Sequence, residues 1–254
     1  MKTLDATSSR MACSENGIDE SMLIGKLSSA PDKGVPALVH ADHWLLVFDK
    51  PPGLLSVPGR GADKQDCLSA RAQSLYPDAL VVHRLDMATS GLFLMARGAV
   101  VQRLLSAAFA QRQVGKRYEA VVAGRLEPAA DADAQGWGLI DLPLAADWPN
   151  RPRRVVDREN GKPSQTRWRG ILPSPPGKGW GEGTTRLELE PLSGRSHQLR
   201  VHLQALGHPI LGDTLYAPPD VQMLAPRLLL HATQLRLAHP ATGAALAFAS
   251  AAPF

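Results

Sequence analysis

Cysteine is scarce in this chain of 254 residues. Only Cys13 and Cys67 are present, and neither belongs to a Cys-x-x-Cys pair. Two isolated cysteines cannot supply the disulfide framework of a small secreted protein or the ligand set of a cysteine zinc site. The sequence therefore predicts a protein of a reducing compartment, and we expect it in the cytoplasm.

Long apolar runs and common nucleotide-binding motifs are also missing. No apolar stretch approaches the roughly 20 residues that a membrane span needs, and the apolar patch at residues 22–24 is too short for a signal peptide. The sequence has no phosphate-binding P-loop and no G-x-S-x-G nucleophile elbow. Aromatic residues are only 5% of the chain, which argues against the stacking platform of an RNA-recognition motif. A soluble, intracellular protein with no membrane partner is expected.

The charge of the chain is slightly basic. Lys and Arg number 28 against 24 Asp and Glu, which gives a net charge of +4, and 20 of these 28 cations are Arg. Arginine suits bidentate contact with phosphate, so an anionic partner fits this composition. An Ala- and Arg-rich genome would give the same bias without a functional reason, so the charge alone selects no partner.

The residue pattern divides the chain into an N-terminal extension and one domain. Residues 1–36 show no periodicity, which predicts a mostly disordered segment, and no linker divides residues 37–254, which are expected to form a single domain. Hydrophobic periodicity predicts strands at 43–49, 79–83, 91–95, 118–123, 139–142, 165–172, 185–190, 227–237 and 244–248, and helices at 67–75, from 98 to a Gly115 cap, and at 194–206.

The order of these elements predicts an α+β fold. Strands outnumber helices, and the segments at 165–172 and 185–190 have the pattern of a hairpin joined by the Gly- and Pro-rich loop 173–183. We therefore expect a mixed, largely antiparallel β-sheet flanked by a few helices.

The densest group of polar residues is the turn HRLDMATSG at residues 83–91, between two apolar strands. This position exposes Asp86 at the edge of the sheet. An aspartate that is already ionised at neutral pH needs orientation and an electropositive neighbour to act as a nucleophile, and Arg84 or a more distant Arg can supply the charge. The alternative is a structural turn in which Asp, Thr and Ser side chains cap backbone groups.

Two further groups of residues are candidates for binding. The segment at residues 193–202 is predicted at the start of a helix, where backbone N–H groups with Arg195 and Arg200 form an anion site, or alternatively a solvated helix face. Tyr118 begins a strand, where it is either a packing residue or, if Asp86 is near, an acid/base group. Histidines at 197, 202 and 208 do not share a helical face, so no metal site is predicted.

Taken in order, these segments resemble the RluA family of pseudouridine synthases. The family motif H-R-L-D-x-x-T-S-G is complete at residues 83–91, and DLPLAADWPNRP at 141–152 is similar to the RluA subgroup in particular. The other similar segments are LLVFDKPPGLLSVPGR (45–60), KRYEA (116–120), GKPSQT (161–166), GRSHQLRVHLQALGHPILGD (194–213) and RLLLHA (227–232).

The resemblance implies a role for individual side chains. Asp86 matches the catalytic Asp, Tyr118 the active-site Tyr that removes the C5 proton of the base, and Arg195 the Arg that pairs with the Asp. For RNA binding, Arg84 matches the residue that fills the gap left by the flipped uridine, and Leu199 the aliphatic residue that packs on the base. Arg200 and His83 are assigned to RNA binding as well. The reaction implied, uridine to pseudouridine, changes no redox state, so no cofactor and no metal are expected.

The same resemblance implies the substrates. The RluA subgroup acts on 23S ribosomal RNA and on tRNA anticodon loops, so stem-loops of both RNAs are the expected partners; no protein partner is implied, and a monomer is expected. The 36 N-terminal residues are too few for the S4 RNA-binding domain of many relatives.

Two other functions stay open: a catalytically silent RNA-binding protein, and a hydrolase that uses Asp86 on a nucleoside bond. Whether Asp86 attacks C1′, adds to C6 or assists glycal formation also stays open.

Overall fold

The computed structural model describes residue 34 and residues 36–171 and 183–254. The described residues belong to one compact unit, Lys33–Phe254. The predicted extension at 1–36 therefore lies outside the described residues except for Gly34 and Pro36, and so does the predicted loop 173–183 except for Gly183. Among the residues described, no helix is long and apolar enough to span a bilayer.

The described part of the chain forms twelve strands and four α-helices. The strands are β1 (Ala37–Ala41), β2 (Leu45–Lys50), β3 (Ala79–Val81), β4 (Ser90–Arg97), β5 (Gly115–Ala123), β6 (Gly138–Asp141), β7 (Leu144–Ala146), β8 (Arg154–Val156), β9 (Gln165–Gly170), β10 (Thr184–Pro191), β11 (Leu230–Ala238) and β12 (Ala245–Ala249). The helices are α1 (Leu68–Leu75), α2 (Gly98–Ala110), α3 (Gln198–Ala205) and α4 (Pro219–Met223).

Ten strands form one sheet, which confirms the predicted α+β class. The order is β1-β2-β4-β11-β5-β10-β9-β6, with β12 on β11 and β3 on β4, and β7 pairs with β8 separately. Within the described ranges, every pairing is antiparallel except the one between β4 and β11. The parallel pair brings the start of β4 beside β11 in the middle of the sheet, directly after the turn that contains Asp86.

The packing of the core explains why the residues of β4 form a continuous apolar run and do not alternate between apolar and polar. Leu92 and Leu94 on one face pack with Val101 and Leu105 of α2, while residues on the other face pack with α1. A strand covered on both faces has no solvent side, so both alternating sets are apolar. Each fully buried aliphatic or aromatic side chain contributes roughly 1.5–3 kcal/mol to folding.

The predicted end of the second helix and the predicted start of the third helix differ from the structure. Helix α2 ends at Ala110, so Gly115 begins β5 instead of capping the helix. Helix α3 begins only at Gln198, preceded by His197 in the left-handed region at φ 57°. The first part of the predicted anion site, residues 193–197 of 193–202, is therefore a turn outside the helix, and His202 within the helix is fully buried.

Candidate active site

A cleft of about 1050 Å³ lies beside the turn that contains Asp86. It collects side chains from segments that are more than a hundred residues apart in the chain: the turn after β3, the start of β5, and the segment that leads into α3. Asp86, Tyr118 and Leu199 all line it. Its charged lining consists of Arg84, Arg112, Lys116, Arg154, Arg195 and Arg200 against Asp86 and Glu190.

The turn at residues 83–91 is hydrogen-bonded to the segment that follows β2. The Ser56 hydroxyl donates to the Leu85 carbonyl at 2.8 Å and accepts from the Leu85 N–H at 3.1 Å. The Gly53 N–H donates to the Met87 carbonyl at 2.8 Å. These bonds fix the backbone on both sides of Asp86, so the carboxylate is presented by a rigid turn.

Lys50 is a buried residue that supports the turn at 83–91, and the sequence reasoning missed it. Its fully buried ammonium donates to the carbonyls of Pro51, Leu54 and Met87 at 2.9, 2.8 and 3.1 Å. Burial lowers the pKa of Lys50 to about 8; the negative charge of Asp86 opposes the shift, and the positive charge of Arg227 adds to it. The signal available in the sequence was a lysine at the end of an apolar strand, immediately before Pro-Pro-Gly.

The guanidinium that contacts Asp86 belongs to Arg200, which corrects the prediction of Arg195. Arg200 Nη1 donates to Asp86 Oδ2 at 3.3 Å, and Arg200 also makes a two-point contact with the buried Asp213, at 2.8 and 2.6 Å. Arg195 instead donates from Nε to the Pro163 carbonyl at 3.3 Å at the exposed rim of the cleft. Arg200, predicted to bind RNA, is thus 4% exposed and held between two carboxylates.

His197 faces Asp86 from the other side. Its Nε2 lies 3.9 Å from Asp86 Oδ1, and its Nδ1 is hydrogen-bonded to the Tyr216 hydroxyl at 2.6 Å. The Tyr216 oxygen already accepts from the Arg154 N–H at 2.8 Å, so its proton is available to His197 Nδ1. Burial is the largest cause of the lowered pKa of His197, although Asp86 opposes it, so the ring is neutral at pH 7.

The contacts of Asp86 decide against a purely structural turn. Its carboxylate meets the side chains of Arg200 and His197, and it accepts no backbone N–H from the residues that the structure describes. The side chain stays 25% exposed to the cleft. Asp86 is therefore an oriented carboxylate with an adjacent cation and an open side, which is the arrangement that a nucleophile needs.

Tyr118 contributes a hydroxyl in an apolar setting. Its ring packs against two of the hydrophobic clusters, and no described residue is hydrogen-bonded to its hydroxyl. Burial, and after it the negative charge of Asp86, raises the pKa of Tyr118. The hydroxyl is therefore protonated at neutral pH.

Of the remaining predicted RNA-binding residues, His83 is half-buried in the wall of the cleft. Its ring stacks between Phe93 and Phe109, at centroid distances of 4.9 and 4.7 Å, and Nε2 accepts from the Leu94 N–H at 2.8 Å. Burial lowers the pKa of His83 to about 3. The ring therefore has a structural role in the cleft wall, and its contact with RNA stays a prediction. Arg84, in contrast, is exposed at the cleft, and Leu199 is a buried apolar wall.

The three histidines at and after the start of α3 have different hydrogen-bond partners. His202 is hydrogen-bonded to the Thr166 hydroxyl and the Leu142 carbonyl, and His208 to the Ala123 carbonyl. With His197 beside Asp86, these three rings do not converge on one point.

Comparison with known proteins identifies the family of the chain. A model of the family "RNA pseudouridylate synthase" matches residues 44–205. The dual-specificity RNA pseudouridine synthase RluA of Escherichia coli K12 is 46% identical over 217 residues, which are 85% of this chain and 93% of that protein; RluA of Yersinia pestis is also 46% identical, over 99% of its length. The chain belongs to the RNA pseudouridylate synthase family and is an isomerase of uridine in RNA.

Solved structures show the same fold. Human RNA pseudouridylate synthase domain containing 1 superposes with a TM-score of 0.67 at 25% identity, over 89% of this chain and 87% of that chain. Human RNA pseudouridylate synthase domain containing 4 gives a TM-score of 0.63 at 25% identity.

Proposed function

We propose that this enzyme converts one uridine in a 23S ribosomal RNA hairpin loop and one in tRNA anticodon loops to pseudouridine. The observation that carries the proposal is the oriented Asp86 carboxylate in a cationic cleft beside Tyr118 and Leu199. The dual specificity is supported by the RluA relatives, which match this chain over nearly their whole length. We place its action in the cytoplasm, where both RNAs are found, and expect a monomer without a protein partner.

In the proposed reaction, Asp86 assists cleavage of the bond between N1 and C1′. The base then turns within the cleft and rejoins C1′ through C5, so no redox change occurs and no cofactor is needed. The Arg200 guanidinium, fixed by Asp213, keeps the Asp86 carboxylate aimed at the sugar. Positioning of this kind is worth several kcal/mol of the barrier.

Tyr118 is the proposed group for the C5 proton. Since its raised pKa keeps the hydroxyl neutral, the oxygen accepts the proton from C5 while it releases its own to water in the cleft. Tyr118→Phe removes this route but keeps the ring that packs in the core. We expect it to fold normally and to lose C5 proton release.

Binding requires the target uridine to leave its stack. Flipping costs a few kcal/mol and is cheapest in loops, which favours a hairpin-loop substrate. We propose that the exposed Arg84 fills the vacated space, that Leu199 packs on the flipped base, and that Arg195 contacts phosphate at the rim.

Tritium release from RNA labelled at uridine C5 tests the proposal. The substrates are a 23S ribosomal RNA hairpin and a tRNA anticodon stem-loop, each with wild-type protein and Asp86→Ala. Release from both RNAs by the wild type alone is expected. Release from one RNA refutes the dual specificity, and no release despite salt-sensitive binding would support the silent RNA-binding alternative.

A further inference from the structure

Trp148 is exposed beyond what packing explains. It lies at the tip of the β7–β8 hairpin with 68% of its surface accessible, whereas Trp137 and Trp168 are buried. The guanidinium of Arg151 stacks on one face of the indole, with Cζ 3.4 Å from the ring centroid. A large apolar ring with one face covered by a cation and the other open is a surface for stacking.

The hairpin tip holds this ring in a defined place. The Asp147 carboxylate accepts from the backbone and side-chain amides of Asn150, and the Asp147 N–H donates to the Arg153 carbonyl at 3.1 Å. At its base the hairpin is joined to Lys162 by two backbone hydrogen bonds with Leu144. Because the tip is already ordered, little conformational entropy is lost when a ligand stacks there.

The strand pair next to the tip of the same hairpin reaches the active site. Arg154, which pairs with Ala146 across the hairpin, lines the cleft, and its N–H donates to the Tyr216 hydroxyl that holds His197 beside Asp86. Trp148 is only two residues beyond Ala146. The indole is therefore attached to the rim of the cleft rather than to a distant surface.

The charge of the tip selects an anionic ligand. Arg151, Arg153 and Arg154 form no ion pair with any described residue, and Nε of both Arg153 and Arg154 is a buried atom without a hydrogen-bond partner in the described part of the chain. Arg151 lies on the Trp148 ring, whereas Arg153 lies over the Tyr216 ring and Arg154 lines the cleft. An open aromatic face with a cation on its other side fits a nucleotide, whose phosphate is charged and whose base has a flat face.

We propose that Trp148, backed by Arg151, is a stacking platform for an unpaired base of the RNA loop, adjacent to the uridine held in the cleft. This proposal rests on the proposed function only for the identity of the RNA. A base within a duplex has both faces covered, so the platform selects RNA in which a neighbour of the target is unpaired. Trp148 thereby contributes to the choice of loop without touching the reacting atoms.

The test measures stem-loop binding in the Asp86→Asn background, which prevents turnover. Trp148→Ala is expected to weaken binding about tenfold, since stacking of one base contributes on that order, while Trp148→Phe keeps most of the affinity. Trp44→Ala is the matched control, because Trp44 is 42% exposed and directly precedes β2, which contributes no residue to the cleft, whereas the β7–β8 hairpin contributes Arg154. Melting temperatures confirm that each variant is folded.

Abasic substitution locates the stacked base. Each loop position of the RNA is replaced in turn by an abasic site, and the effect of Trp148→Ala is measured again. We expect the effect to vanish at one position next to the target. An effect below twofold on intact RNA, or one that persists with every abasic RNA, would overturn the platform. Tritium release by the enzyme with Asp86 intact is scored separately, so failure of the proposed function is seen independently.

Discussion

Asp86 and Arg200 illustrate how a single residue acquires its role from a second one. Asp213 is fully buried, accepts two hydrogen bonds from Arg200, and also accepts from the N–H groups of Leu215 and Tyr216. This contact uses Nε and Nη2 of the guanidinium and leaves Nη1 for Asp86. The orientation of the Asp86 carboxylate therefore depends on a residue that is fully buried.

Asp213→Asn is predicted to lower kcat about 100-fold, because small displacements of a catalytic group carry costs of that order. It should also destabilise the fold by about 3 kcal/mol, since Arg200 loses its closest buried partner. Tritium release at saturating RNA, measured below the melting transition, checks the first effect, and urea unfolding checks the second. Arg195→Ala is the control and should raise KM with little change in kcat. If Arg195→Ala lowers kcat and Asp213→Asn does not, Arg195 and not Arg200 is the residue that pairs with Asp86 during the reaction.

At the residue scale, the sequence located the site but not all of its contacts. The motif placed Asp86, and the resemblance placed Tyr118 and Leu199 beside it. Arg195 and Arg200 are five residues apart, and only the point where α3 begins decides which one faces Asp86. That point depends on bonds of the Gln198 side chain with the nearby Ser193 and with Gln165 and Thr166, which are 33 and 32 residues away and which no local pattern contains.

The parallel contact between β4 and β11 depends on Gly91. Its φ is +107°, and a Cβ at this position would lie 2.4 Å from the Ala232 carbonyl oxygen. Gly91→Ala is expected to cost more than about 3 kcal/mol, because it adds a backbone clash to an unfavourable conformation. Gly243→Ala also has a positive φ but meets nothing within 4 Å, so it should cost only about 1 kcal/mol. Equal losses of unfolding free energy in Gly91→Ala and Gly243→Ala, measured by urea unfolding, would contradict the predicted backbone clash at Gly91.

The loop between β9 and β10 is predicted to be dispensable for catalysis. These strands are adjacent and antiparallel up to the pair Gly170 and Leu187, so a short connection can join them. Replacing residues 173–182 by four Gly and Ser residues should leave tritium release unchanged. Loss of turnover in a protein that still melts cooperatively would show that the loop contributes to the reaction.

At the element scale, distinctly apolar or periodic segments were predictable, including the three-residue strand β3, whereas short strands without such a pattern were not. The strands of the main sheet were predicted except β1, and the β9–β10 hairpin is confirmed. The missed strands β7 and β8 have three residues each, too few to show alternation. They are stabilised by contacts with Lys162 and Tyr216, which only the folded chain brings together.

Across the whole molecule, buried histidines predict acid sensitivity. The pKa of His83 is lowered to about 3 by burial, and burial also lowers the pKa values of His197, His202 and His231. An unfolded histidine takes up a proton near pH 6.5, so below that pH the unfolded state binds protons that the folded state does not. Stability is therefore fully present above about pH 6.5 and falls as the pH is lowered.

His83 alone should contribute about 1.4 kcal/mol of lost stability per pH unit between about pH 6.5 and 3. Urea unfolding at pH 7, 6 and 5 measures how the free energy of unfolding changes with pH. His83→Asn should reduce this slope by about 1.4 kcal/mol per pH unit, the contribution of one proton. The exposed His43→Gln serves as the control. A slope that His83→Asn leaves unchanged would show that His83 is protonated in the folded state.

The central claim is that Asp86 drives isomerisation of uridine in RNA. Nucleoside analysis of an anticodon stem-loop after reaction with wild type and Asp86→Asn tests it most directly. We predict that wild type forms one pseudouridine for each uridine lost, with no free uracil, and that Asp86→Asn forms none while it still binds the RNA. Free uracil, or pseudouridine formed at the wild-type rate by Asp86→Asn, would contradict the claim.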